Sequence, residues 1–429
     1  MALAFPRPLA VMTVAALVLA GCSSGKKAAD PNAPVTITWW TGQAEDAEKL
    51  LEALAADYQK AHPNVTIKVS AGAPTTDELL TKLSAAFVSG THPDISYAYG
   101  SWATQLAQSG RTQDISSEVA DPKLGWQEFP AAARATATVD GKVIGLPAVV
   151  DNLGIIYNKK LFDQAKLAYP TDDWTWDDFR AAAKKLTNHA TNVYGTAYPV
   201  SGSENTTWML WPLLWQHGGA ILSKDSKTPQ FNSDAGVQAL TFLRDMAVTD
   251  KSMYLDQTDE KFGPLFLDGR VGMLITGPWQ MYDIKQRKLD YGVAFLPGVN
   301  GDHQTISGPD LWTLYDHDDP NRAKAARDFV IWLTGKDTDG RNSLVNGNLP
   351  LRDSEKTTQA YQKFVKDFPG AQKFVENLAN AKQPRPTVPG YVELSQYVGD
   401  AVSQVLQGAA DPKAALDTAA KKSTEALAQ

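Results

Sequence analysis

The sequence predicts an α/β protein of two domains, with sheets flanked by helices, and three observations carry that prediction. Strand, helix, strand, helix and strand alternate between residues 34 and 99, the βαβ rhythm of a parallel sheet covered by helices. The chain has 429 residues, 43% hydrophobic and 21% charged, which supplies ample core for two domains. Finally, Val271, Met273 and Ile275 alternate as in a half-buried strand, which Gly277-Pro278 stops. Pro278 suits the first turn of a helix, so Trp279 falls at a strand-to-helix corner, where open α/β sheets present side chains to ligands.

The N-terminus reads as a targeting segment rather than as fold. Arg7 gives a weakly basic start, and Leu9 to Ala20 is an apolar run of signal-peptide length, too short to span a bilayer comfortably. It ends in Leu19-Ala20-Gly21-Cys22, which resembles a bacterial lipobox and implies cleavage before Cys22 with diacylglycerol on its sulfur. The competing reading is an accidental cysteine behind an ordinary secretion signal. Cys22 is the only cysteine, so the chain has no internal disulfide and no Cys-based metal site. Loss of residues 1–21 removes Arg7 and no acidic residue, which takes the formal charge from -7 to -8. Each buried CH₂ of an anchor contributes ~0.8 kcal/mol, and two chains hold a protein stably. Ser23 to Pro34, rich in Ser, Gly, Ala and Pro, reads as a flexible tether. These features place the protein outside the cytoplasm, anchored to a membrane. The negative charge, without a Lys/Arg cluster, disfavours nucleic acid as a partner.

Taken in order, Pro34–Trp40 is the first strand, and a helix from about Ala44 to His62 carries Leu50, Leu51, Leu54 and Tyr58 on one face. His62-Pro63 ends it. Val65–Val69, Asp77–Ser89 and Pro93–Tyr99 supply the next strand, helix and strand. Val143-Ile144-Gly145-Leu146-Pro147 leads through Asp151-Asn152 to a strand closing on Tyr157-Asn158-Lys159. The four carboxylates of Asp172, Asp173, Asp177 and Asp178 imitate a catalytic cluster, but Thr175 and Asp178 form a capping box, and acids suit the positive end of a helix dipole. Trp208, Trp211 and Trp215 lie on one helical face, a pattern that core packing explains for Trp211 and Trp215. Gln257–Leu267 resembles an amphipathic helix leading into the Val271 strand, Tyr291–Leu296 reads as a strand, Ser307–Leu314 as another, Ala323–Leu333 as a helix and Val392–Gln407 as the closing helix.

The Gly269-Arg270-Val271-Gly272-Met273 strand running into Gly277-Pro278-Trp279 resembles the family 1 extracellular solute-binding proteins of bacterial ABC sugar importers, which are maltose-binding-protein-like. The similarity continues through Pro93-Asp94-Ile95, Tyr157-Asn158-Lys159, Trp176-Asp177-Asp178-Phe179, Gln216-His217-Gly218-Gly219 and Gly347-Asn348-Leu349-Pro350, in family order from Val35 nearly to the C-terminus. The resemblance implies a two-lobe fold with the ligand cleft at the hinge. Lobe 1 would hold residues 35–150 and 308–345, and lobe 2 residues 151–307 and 346–429. It implies capture of a carbohydrate, an oligosaccharide, by hinge closure, and delivery to a permease with a cytoplasmic ATPase, by a monomer without a cofactor.

The same resemblance proposes contacts. Trp279 and Trp208 stack on sugar faces, and Tyr99, Ser101 and Trp102 follow the Pro-Asp-Ile strand where the family touches its solute. Trp102 equally suits packing against Leu106. Arg385 and Tyr391 fall where the family sometimes reaches back into the cleft, although Arg385 as a surface residue is an equal reading. Sugars present apolar C–H faces and a rim of hydroxyls. Aromatic rings suit the faces, whereas carboxylates and amides suit the rim, which nominates Gln43, Asp151, Asn152 and Asp310. Asp151 and Asn152 alternatively cap a turn. Gly308-Pro309-Asp310 departs from the usual Gly-Gly, so Asp310 would add a contact to a hydroxyl or ammonium.

Two further readings stand beside this one. The fold would also suit an amino sugar, received by Asp151 and Asp310, or a glycerophosphodiester, received by Arg385 or helix N-terminal amides. A secreted glycosidase would use Asp151 and Asp310 as its carboxylate pair. Against an enzyme, the sequence has no GxSxG, HExxH or P-loop, and its six histidines show no close metal-ligand spacing.

Overall fold

Ile37 and Trp39 point from one face of Val35–Trp40 (β1) into a core while Thr36 faces solvent, the period-2 pattern expected of a strand at a surface. The computed structural model describes residues 30–428 except 31, 44, 75, 203, 259, 345 and 346. The leader, Cys22 and residues 23–29 and 31 of the tether lie outside the described residues. From β1 the chain continues through helix Glu45–Ala61 (α1), strand Val65–Ser70 (β2), helix Thr76–Ser89 (α2) and strand Ile95–Ala98 (β3). β1 lies parallel to both β2 and β3, as the βαβ alternation predicts.

Strand Gly145–Asn152 (β4) is followed by Gly154–Asn158 (β5), Thr196–Pro199 (β6), helix Glu204–Gln216 (α3) and strands Met253–Asp256 (β7), Met273–Thr276 (β8) and Tyr291–Ala294 (β9). Ser307–Leu314 (β10) and helix Pro320–Leu333 (α4) come next. Sheet one runs β2-β1-β3-β10-β4, with β10 antiparallel to both its neighbours. The second half of the fold holds an antiparallel sheet, β8-β5-β9, and a parallel pair, β6-β7. β4 belongs to the first sheet and β5 to the second, with Leu153 alone between them. The chain returns between β9 and β10.

Under the first sheet Trp39 meets Trp312 and Phe329 edge-on at 5.0 and 5.1 Å, contacts that each add ~0.5–1.5 kcal/mol to the area they bury. Asp94, fully buried, accepts hydrogen bonds from Thr38 N at 2.8 Å and Thr38 Oγ1 at 2.9 Å, and from Arg322 Nε at 3.0 Å and Nη2 at 2.8 Å. One carboxylate thereby ties β1, the start of β3 and α4. In the other half, Trp208, Trp211 and Trp215 are all buried, together with Trp176 and Phe231. Thr175 and Asp178 form the expected capping box at helix Trp176–Leu186.

Three expectations need correction. The strand through Met273 is buried on both sides, because Met273 and Ile275 face the core around Trp211 while Val271 and Leu274 face a separate core around Phe266 and Phe364. The helix expected over 257–267 begins only at Phe262, since β7 runs to Asp256. The helix Tyr391–Leu406 does not close the fold. Asp411 caps a further helix, Pro412–Leu427, with Pro412 in its first turn, and that helix packs on its predecessor.

Candidate functional site

The strands of the first sheet deliver polar and aromatic side chains to one cavity of about 300 Å³, which α3 and the Gly277-Pro278-Trp279 turn close from the other half of the fold. β3 contributes Tyr97 and, just past its end, Tyr99. β4 contributes Val149 and Asp151, and β10 contributes Gly308 and Asp310. Gln43 and Thr76 enter from beyond β1 and at the start of α2. Across the cavity stand Glu204, Asn205 and Trp208 of α3, with Trp279, Asn348 and Arg385.

The pairing of β4 with β10 sets the floor. Gly308 lies opposite Asp151, and its N–H donates to Asp151 Oδ1 at 3.0 Å. A Cβ at Gly308 would stand 2.7 Å from that oxygen and 2.8 Å from Trp208 Cη2, so only glycine lets the carboxylate and the indole converge. Asp310, two residues on, accepts from Tyr97 Oη at 2.5 Å and from Gly100 N at 3.3 Å, with Arg385 Nη2 at 3.7 Å. Burial raises both carboxyls. Asp310 is pushed up to about 6, with Arg385 and the Tyr97 hydroxyl opposing the rise. Asp151 is pushed well up, first by burial and then by Asp310. Burial and Asp310 likewise hold the Tyr97 phenol far above its usual range, so it remains an O–H donor.

Arg385 is the single cation of the wall. It is buried, its Nη1 donates to Glu204 Oε1 at 2.9 Å, and its guanidinium lies 4.2 Å from the Trp208 ring centre. Burial works against its charge, but Glu204 and Asp310 outweigh that and keep it above the ordinary Arg value. Glu204 also accepts from Tyr391 Oη at 3.1 Å and Ser395 Oγ at 2.6 Å. Because Arg385 covers part of Trp208, the open aromatic surface is chiefly Trp279, which is 38% exposed. Its ring folds back over Gly277, where a Cβ would lie 1.9 Å from it.

Eight of the residues nominated from sequence line this cavity: Gln43, Tyr99, Asp151, Trp208, Trp279, Gly308, Asp310 and Arg385. Three do not. Asn152 follows Asp151 on a strand, so it projects to the opposite face. There it is buried, donating to the Phe374 carbonyl at 2.8 Å and accepting from Asn377 Nδ2 at 2.8 Å. Ser101 lies buried in the 3₁₀ turn Gly100–Trp102, and Trp102 beside it is core. Tyr391 is buried behind Glu204 and accepts from Trp211 Nε1 at 3.1 Å, so it braces the wall without reaching the cavity. The surface reading of Arg385 also fails, since a carboxylate partner on α3 pays for its burial.

Among the residues sequence reasoning passed over, Tyr97 carried a usable signal, because it alternates with Tyr99 on one face of β3. Glu204 carried none, since its partner Arg385 lies 181 residues away. Among the described residues no group of His, Cys, Asp and Glu is arranged to hold a metal ion, and no helix is long and apolar enough to cross a membrane.

Comparison with known proteins joins the cavity to a family. Residues 53–369 match the family model described as bacterial extracellular solute-binding protein. A binding protein of Brucella abortus is 27% identical over 358 residues, covering 82% of this chain and 84% of its own. The fold superposes on an ABC substrate-binding protein from Listeria monocytogenes in complex with cycloalternan, at 25% identity and a TM-score of 0.81, covering 91% of this chain and 98% of that one. It also superposes on a cyclic alpha-maltosyl-1,6-maltose binding protein from Arthrobacter globiformis, at 28% identity and a TM-score of 0.75, covering 92% and 99%. With a matching model across most of its length and a two-lobe α/β architecture around one cleft, this chain belongs to the bacterial extracellular solute-binding proteins.

Proposed function

We propose that this protein captures a carbohydrate, an oligosaccharide, between its lobes and delivers it to an ABC importer. The observation that carries this reading is the pairing of aromatic rings with hydrogen-bonding rim groups around one cavity: Tyr99, Trp208 and Trp279 beside Gln43, Asp151, Asn205 and Asp310. Flat apolar rings suit sugar C–H faces, and carboxylates and amides suit hydroxyls. The neighbours named for cycloalternan and cyclic maltosyl-maltose support the same solute class. Contacts from both sides of the cavity let the solute favour the closed state by its differential affinity. The half holding the first sheet, with β4 to Asn152 and β10 from Ser307, would move against the half holding β5, α3 and β8. The mature protein, a monomer, would be held outside the cytoplasm by acyl chains on Cys22, with residues 22–34 as tether.

A glycosidase is the weaker reading. Asp310 accepts from Tyr97 on one oxygen and from Gly100 on the other, with Arg385 beside it, so the protein already engages both oxygens. A phosphodiester is also disfavoured, because Arg385 is already paired with Glu204 and the other charges on the wall are negative.

The test is a thermal-shift screen of the mature domain against neutral oligosaccharides, amino sugars and glycerophosphodiesters. A solute at about 100 times its dissociation constant stabilises the fold by ~2.7 kcal/mol. A shift with sugars that Asp151→Ala removes supports the proposal. A flat response to every sugar, from protein freed of carried-over solute, refutes it, and consumption of the sugar restores the enzyme.

A further inference from the structure

The charges on the cavity wall do not balance. Among the described residues, Asp151, Glu204 and Asp310 bring three carboxylates against one guanidinium, and neither Lys nor His lines the cavity. Arg385 is committed to Glu204 at 2.9 Å and turned toward Asp310 at 3.7 Å. Asp310 has further donors in Tyr97 and Gly100. Asp151 has only the Gly308 amide, on Oδ1. Among the described residues no Lys, Arg or His nitrogen comes within ion-pair distance of its carboxylate, and Asp151 lines the cavity. Closure over a neutral sugar would bury Asp151 further without supplying a counter-charge, which holds its carboxyl up still more.

Within the carbohydrate reading, on which this inference rests, we infer that the solute bears a protonated amine on a polyhydroxylated ring, and that Asp151 receives that ammonium while the neighbouring aromatic rings hold the ring faces. An ammonium makes charge-assisted hydrogen bonds to Asp151 where a hydroxyl makes neutral ones, and it also gains from the electron-rich faces of Trp279 and Tyr99. The groups facing Asp151 give the choice its direction. From β10 come Asp310 and the Gly308 amide, from β3 the hydroxyl of Tyr97, and Arg385 acts on it from across the cavity. The only cation is Arg385, already engaged. All but Arg385 attract a cation or are neutral. Since burial and Asp310 raise the Asp151 carboxyl, an arriving ammonium draws it into its ionised form, so amine binding releases protons and weakens as pH falls.

Calorimetry on the mature protein with matched amine and hydroxyl partners tests this: glucosamine against glucose, and the chitosan disaccharide against cellobiose. The expected result is at least tenfold tighter binding of the amine in a pair that binds, with proton release seen as a buffer-dependent heat. The amine-to-hydroxyl ratio should fall to about one in Asp151→Asn, whose fold is checked by its unliganded melting temperature. Equal or tighter binding of the hydroxyl partner in every pair that binds overturns the inference while the carbohydrate reading stands. Selectivity that survives Asp151→Asn overturns the role of Asp151. Where that variant does not fold, absence of proton release in the unaltered protein overturns it. Failure of every member of every pair to bind removes the carbohydrate reading and this inference with it.

Discussion

Asp151 and Asp310 meet at the cavity between β4 and β10, whereas Asp339 and Glu355 meet behind it, where the chain leaves α4 and Leu351 and Arg352 pack against the first half of the fold. Both pairs are acidic, both have an arginine nearby, and both are removed from bulk water. In the sealed pair Asp339 and Glu355 are fully buried, Asp339 accepts from Ser343 Oγ at 2.5 Å and Leu351 N at 3.3 Å, and burial together with Asp339 pushes Glu355 up to about 10. Glu355 therefore keeps its proton at neutral pH and faces Asp339 as a neutral acid. Arg352 is directed elsewhere, with Nε donating to the Thr334 carbonyl at 2.9 Å and Nη1 to the Leu124 carbonyl at 2.6 Å. In each pair burial and the neighbouring carboxyl hold one acid up, Glu355 in one and Asp151 in the other, but only Asp151 and Asp310 line a cavity. Burial alone does not mark a functional carboxylate; access does.

The comparison breaks first at Arg352. Arg352→Ala orphans buried carbonyls and removes the guanidinium stacked 4.0 Å from the Phe129 ring centre. Chemical denaturation should show a loss of about 3–5 kcal/mol, the scale for breaking a buried charged network, with solute affinity of the folded protein unchanged. A loss of affinity instead would join the two clusters into one site.

Trp279→Ala should do the converse. Its ring is partly exposed, so the melting temperature should barely move, while affinity falls by about 2 kcal/mol, roughly thirtyfold by titration calorimetry. An unchanged affinity would move the stacking platform to Tyr99 and Trp208.

Glu355→Gln separates the pairs by pH. From the reference value 4.5 up to about 10 the unfolded chain lacks the proton that folded Glu355 holds, so stability falls as pH rises, by at most ~1.4 kcal/mol per pH unit. The amide imitates the protonated acid, and the slope measured by urea titrations at several pH values should flatten. Asp310 contributes in the same direction only between 3.8 and about 6.

The smallest effect is expected at Tyr391→Phe, which removes one donor to Glu204 and one acceptor for Trp211. A stability loss of about 1 kcal/mol with near-normal affinity fits a brace; a large affinity loss would place the hydroxyl in the site.

Local patterns carried much of this. Alternating apolar residues and helix caps located the βαβ start, and Thr175 with Asp178 declared itself a cap rather than a catalytic cluster, because its partners lie within one helical turn. The same period-2 rule would have separated Asp151 from Asn152, had the strand been read through to its end. Burial on both faces of β8 was hidden, since the second core comes from Phe364 and its neighbours, far along the chain.

By itself the sequence determined the alternation of elements, the family, the aromatic corner at Trp279 and the candidacy of Asp151, all set by short-range spacing or by motifs a few residues long. Only the tertiary structure decided that Arg385 is buried against Glu204 and Trp208, that Tyr391 stands behind the wall, and that of the three carboxylates on the cavity wall Asp151 is the one without an ion-pair partner among the described residues. Those outcomes depend on which charges meet across the cleft, and no local pattern encodes the energy of a pair 181 residues apart.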